Sequence, residues 1–163
     1  MSKVDKIILL VGLMGSGKTS VGKRLARRLS LPFVDGDQEI EKAAGLSLVE
    51  VFKCFGEREY RAGEERVMKR LLQGEPCVLA SGGGSFVALQ TRELAKKYAL
   101  TIWLKADIDT LYHRTAGRTR RPFLLGDIMW SKQNWKNTLL KNIRTILKQI
   151  LWLKPKMSGL KTR

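Results

Sequence analysis

The chain of 163 residues carries 44% apolar and 28% charged side chains, enough for one domain with its own core, too short for two of ordinary size, and too apolar for intrinsic disorder. Its net charge of +16 is unevenly spread. Residues 127–163 hold nine Lys and Arg against one acid, half of the whole excess, so net charge alone does not identify a polyanionic partner.

The elements follow in order from the N-terminus. Lys6 to Val11 is a short continuous apolar run, as expected of a parallel strand covered on both faces, and it is too short for a signal sequence or membrane span. Lys18 to Leu29 has helical spacing, with Val21, Leu25 and Leu29 on one side and Lys23, Arg24, Arg27 and Arg28 on the other. Leu31 to Val34 reads as a second strand punctuated by Asp35-Gly36-Asp37. Helices are expected over Gln38 to Ala44, Leu48 to Phe55 and Glu57 to Leu72. Cys77 to Ala80 reads as a third strand running into Ser81-Gly82-Gly83-Gly84. A helix over Leu89 to Tyr98 and a fourth strand over Leu100 to Leu104 follow, and Asp107 caps a helix ending near Arg114. Strands alternating with helices at this spacing predict an α/β fold with a parallel sheet. Cys54 and Cys77 are far apart and lack metal-ligand spacing, and His113 is the sole histidine, which fits a reduced cytoplasmic protein.

Gly12-Leu13-Met14-Gly15-Ser16-Gly17-Lys18-Thr19 satisfies G-x-x-x-x-G-K-[ST] between an apolar strand and a helix, where that motif belongs. The glycines let backbone N–H groups curl around phosphate oxygens, the helix N-terminus adds its positive dipole, and Lys18 reaches the β- and γ-phosphates. The Thr19 hydroxyl is the expected protein ligand of Mg²⁺, and Gly15, Ser16, Gly17, Lys18, Thr19 and Ser20 form the expected ATP site. Asp35 and Asp37 lie at the carboxyl edge of the sheet, where open α/β folds bind ligands. By spacing alone they fit a metal or hydroxyl site and a solvated Asp-Gly turn equally well. Arg61 and the glycine triplet, taken singly, read as a surface charge and a loop.

These segments and Arg121-Pro122-Phe123-Leu124-Leu125 stand in the order and spacing of the shikimate kinases, which the chain resembles over residues 6–126. The resemblance implies a three-layer P-loop kinase fold, with five parallel strands and helices on both faces, and transfer of the ATP γ-phosphoryl group to the 3-hydroxyl of shikimate. By that likeness Asp37 holds the substrate hydroxyls and helps accept the proton, Arg61 pairs with the carboxylate and the Gly83 N–H binds ring substituents. Asp35 supports the Mg²⁺ water shell, and residues 116–125 form a lid that brings Arg121 to the phosphates. The implied protein is a cytoplasmic monomer whose partners are shikimate and ATP, with no nucleic acid or membrane. A gluconate kinase is the enzyme alternative, and a nucleotide-dependent binding module with a basic tail is the non-enzyme one.

After Asp127 the resemblance stops. The family continues with a second carboxylate-binding Arg and a fifth strand of Ala-Asp-Ile-Val-Val type, whereas this chain has Trp135, Leu139, Ile143, Ile146, Ile150 and Leu153 at helical spacing among lysines. Three readings stay open: a basic amphipathic helix that binds a partner, a helix packed on the protein's own sheet, and a change of reading frame near residue 127. Codons rebuilt from the third base of one residue and the first two of the next let Lys148 to Lys156 encode Ala-Asp-Ile-Val-Val-Glu-Ala-Lys, the missing strand. Such a break between local and global signals favours the frame change, and a chain carrying the tail as displayed is expected to have weak or absent kinase activity.

Overall fold

The computed structural model describes residues 5–115. The expected lid over residues 116–125 with Arg121, the fifth strand and the basic tail lie outside the described residues. Four strands, β1 (Ile7–Val11), β2 (Phe33–Asp35), β3 (Val78–Ala80) and β4 (Ala99–Trp103), form one parallel sheet in the order β2-β3-β1-β4. The helices are α1 (Lys18–Leu29), α2 (Gly36–Ala44), α3 (Leu48–Leu72), α4 (Leu89–Tyr98) and α5 (Ile108–Thr115).

β1 explains the layering. All five of its side chains are buried, and the two-residue period of a strand sends them alternately to opposite faces. Ile7, Leu9 and Val11 join Met68, Leu72, Leu79, Phe86 and Ala95 under α3 and α4. Ile8 and Leu10 join Ala26 and Val78 under α1. Complete burial of a side chain such as Leu9 or Leu10 stabilises the fold by about 1.5–3 kcal/mol. α1 approaches the sheet at Gly22, where an added Cβ would press on the Phe33 ring and stand 3.1 Å from Leu10.

The sequence-based boundaries hold to within about two residues, with three instructive shifts. β2 begins at Phe33 rather than Leu31, since Pro32 has no N–H to give a ladder, although its carbonyl accepts the Val78 N–H at 2.9 Å. Asp35-Gly36-Asp37 is a strand end running directly into α2 rather than a free turn, with Asp35 as the cap. The two helices expected over residues 48–72 run on as one element, broken at Gly56 (φ 76°), which turns the part bearing Arg61 relative to the part before it. Glycine meets that left-handed conformation without a Cβ clash. A short 3-10 turn at Ser85–Val87 was not foreseen.

Because β1 lies between β3 and β4, the connection from β1 goes to one side of the sheet and that from β3 to the other. Such a switch point opens a crevice at the carboxyl ends of the strands. The phosphate loop leaves β1 at that crevice.

Candidate active site

Gly12, Gly15 and Gly17 take φ values of 150°, 79° and 93°, and this left-handed backbone curls the loop between β1 and α1. Gly15 also admits close packing, since a Cβ there would stand 2.9 Å from Thr115. A cleft of about 420 Å³ is lined by Gly15 to Val21, Asp35, Asp37, Ala80, Ser81 and Arg114. Every residue from Gly15 to Ser20 expected at the nucleotide thus faces one cavity, with both aspartates across from them.

Lys18 is 7% exposed, and its Nζ donates to the carbonyls of Gly12 at 2.7 Å and Leu13 at 2.9 Å. These loop carbonyls hold the ammonium at the position from which phosphate oxygens would draw it. Thr19 Oγ1 donates to Asp35 Oδ2 at 3.1 Å, while Asp35 Oδ1 accepts the Asp37 N–H at 3.1 Å. Asp35 therefore caps α2 with one oxygen and reaches the phosphate loop with the other. Among the described residues no cluster of three or more His, Cys, Asp or Glu could hold a metal. One hydroxyl beside one carboxylate suits Mg²⁺, which keeps most of its water and needs few protein ligands.

A second group of residues assembles around the glycine triplet. A Cβ at Gly82 would stand 2.8 Å from Asp37 Oδ1 and 2.8 Å from Glu64 Oε1, and one at Gly84 would stand 2.9 Å from Arg61 Nη1. A Cβ at Gly83 would be 3.3 Å from the Met14 nitrogen, so the triplet also touches the phosphate loop. Absent side chains at these three positions let Asp37, Arg61 and the loop backbone each approach the triplet closely. Arg61 donates through Nη1 to Glu64 at 2.7 Å, lies 3.7 Å from Glu57 through Nε, and stacks over the Tyr60 ring at 5.3 Å.

Three residues at this site were not singled out in the sequence. Arg114 reaches from the last turn of α5 to the Gly15 carbonyl at 3.2 Å, but a basic residue in the last turn of a helix reads simply as a complement to its dipole. Glu64 is 3% exposed, and its place three residues after Arg61 was the available signal. Ser85 carried no local signal at all. Its hydroxyl donates to Glu64 Oε1 at 2.6 Å, 21 residues away.

Comparisons with known proteins agree with this geometry. The shikimate kinase family profile matches residues 14–151. A shikimate kinase of Zymomonas mobilis is 50% identical over 77% of the chain and 71% of its own length, and one from Paramagnetospirillum magneticum is 51% identical over 75% and 63%. That of Cereibacter sphaeroides is 46% identical over 76% and 62%, so the chain spans under two thirds of the length of two of these three relatives. The structure of the Acinetobacter baumannii shikimate kinase in complex with shikimate superposes with a TM-score of 0.83 at 31% identity, covering 90% of this chain and 81% of that one. A Sinorhizobium meliloti gluconokinase, at 22% identity and a TM-score of 0.52, covers 86% and 76% and shares the fold alone. The chain belongs to the shikimate kinase family.

Proposed function

We propose that the site transfers the γ-phosphoryl group of ATP to the 3-hydroxyl of shikimate, as a cytoplasmic monomer whose partners are these two small molecules. The carrying observation is the contact between two half-sites: a phosphate loop facing Asp35 and Asp37 across one cleft, and a glycine triplet that touches both that loop and Arg61. Phosphoryl transfer needs little covalent help from the protein, so positioning and charge neutralisation account for most of the rate. Asp37 receives the proton of the attacking hydroxyl. Arg61 fixes the acceptor through its planar carboxylate, to which a guanidinium can donate two parallel bonds. The Gly83 N–H meets the ring substituents. The N–H groups of Gly15 to Ser20, Lys18 and Arg114 take the phosphates, and Arg121, in the expected lid, closes over them.

When bound, Mg²⁺ would supply positive charge that offsets the charge of the phosphates. Thr19 would hold it directly and Asp35 through its water shell, in keeping with the hydrogen bond between these two side chains.

The tail belongs to the same proposal. We infer that residues 127–163 derive from a shifted frame, as supported by their charge imbalance and by the strand sequence recoverable from the alternative codons.

A coupled assay of ADP release, with shikimate and gluconate offered in parallel, tests the reading. In a chain whose residues after 127 are read in the shifted frame, shikimate-dependent turnover is expected, with Arg61→Ala raising the shikimate KM about 100-fold while leaving the ATP KM nearly unaltered. Preference for gluconate, or an Arg61→Ala effect confined to ATP, counts against it.

A further inference from the structure

Glu64 needs an explanation of its own. It is a carboxylate 3% exposed, and a buried charge is costly unless both of its oxygens are engaged. Its two oxygens have different partners. Oε2 accepts from Arg61 Nη1 at 2.7 Å and Oε1 accepts from the Ser85 hydroxyl at 2.6 Å. Ser85 is itself 1% exposed, and it begins the short turn that follows the glycine triplet.

We propose that Ser85 is a positioning residue for recognition of the acceptor's carboxylate, acting on Arg61 through Glu64. The inference rests on the reading of Arg61 given above and extends it to a residue whose hydroxyl is bonded to Glu64. A carboxylate with both oxygens available tends to grip a guanidinium bidentately. The Ser85 hydroxyl holds Oε1 back, so Glu64 steadies Arg61 through Oε2 without drawing its whole fork inward. The packing leaves no slack in this arrangement. A Cβ at Gly82 would lie 2.6 Å from Ser85 Oγ and 2.8 Å from Glu64 Oε1, and one at Gly84 would lie 2.9 Å from Arg61 Nη1. Arg61 also has two other partners, the more exposed Glu57 and the buried Tyr60 ring. The fixed Glu64 therefore decides which way the guanidinium faces. Without the serine hydroxyl, Oε1 turns towards Arg61 and competes with the incoming carboxylate for the same N–H groups.

Calorimetric binding to the purified full chain tests this, with shikimate and its uncharged methyl ester as probes. Ser85→Ala is expected to weaken shikimate about tenfold and to leave the methyl ester unaffected. Ser85→Thr, which keeps the hydroxyl, retains most of the shikimate affinity. In an Arg61→Ala background the serine change has no further effect. Equal weakening of both ligands, or unaltered shikimate affinity with the melting transition intact, overturns the proposal. A parent chain that binds the ester as tightly as shikimate removes the carboxylate reading of Arg61 itself, and the inference with it. A parent that discriminates between them, with a Ser85→Ala chain that discriminates equally well, removes the inference alone.

Discussion

Lys18 shows how much of a residue's role is set by its immediate neighbours. Its position in the phosphate motif was legible in the sequence, because the loop that positions it is made of the six residues before it, Gly12 to Gly17. Its present partners, the carbonyls of Gly12 and Leu13, are part of that same loop. On the proposed reading, phosphate oxygens would replace these carbonyls as acceptors of the ammonium. Lys18→Ala is expected to lower kcat by about 100-fold or more, the usual cost of removing a donor aimed at developing negative charge. Shikimate affinity, read by calorimetry, should stay near the parent value. A loss in that affinity as large as the loss in kcat would place the lysine at the acceptor instead. Asp35 is the contrasting case. Its sequence allowed a solvated turn and a site residue equally, and its hydrogen bond to Thr19 joins it to a residue 16 positions away.

At the scale of elements, α3 joins stability to function. It opens with a capping box, in which Ser47 Oγ accepts the Glu50 N–H at 3.3 Å and Glu50 Oε2 accepts the Ser47 N–H at 2.8 Å. The break at Gly56 then redirects the chain, and the second half carries Tyr60, Arg61 and Glu64. Ser47→Ala should destabilise the fold by about 1 kcal/mol, seen as a lower Tm. The donors of Ser47 also hold the Glu50 carboxyl below its ordinary value of 4.5, the side-chain hydroxyl contributing most. A carboxyl whose folded-state pKa is depressed contributes stability above its unfolded value and loses it as pH falls through the folded one. The Tm gap between parent and Ser47→Ala should therefore narrow as pH is taken from about 7 to about 3. A gap that widens in acid would contradict the assigned hydrogen bond. The serine and glutamate were spaced for such a cap in the sequence, but the helices on either side of Gly56 gave no sign of the angle between them.

For the whole molecule, the sheet order fixes what meets what. β4 pairs with β1 on one side only among the described residues, and its Leu100 is 57% exposed. The strand recoverable from the shifted frame is the element that the resemblance expects in such a sheet. A chain whose residues after 127 are read in that frame is predicted to turn over shikimate faster than the 163-residue chain in the coupled assay. Equal turnover, or coding DNA whose alternative frame stops early, would falsify the frame change. By itself the sequence determined the α/β class, the strands and the phosphate loop. Each of these is written in runs of neighbouring residues, where apolar period, capping and glycine spacing act locally. Only the tertiary structure decided that Thr19 meets Asp35, that Ser85 meets Glu64 and that Arg114 reaches Gly15. Those contacts join elements 16, 21 and 99 residues apart. They depend on crossovers that place β1 between β3 and β4, an order that no local periodicity encodes.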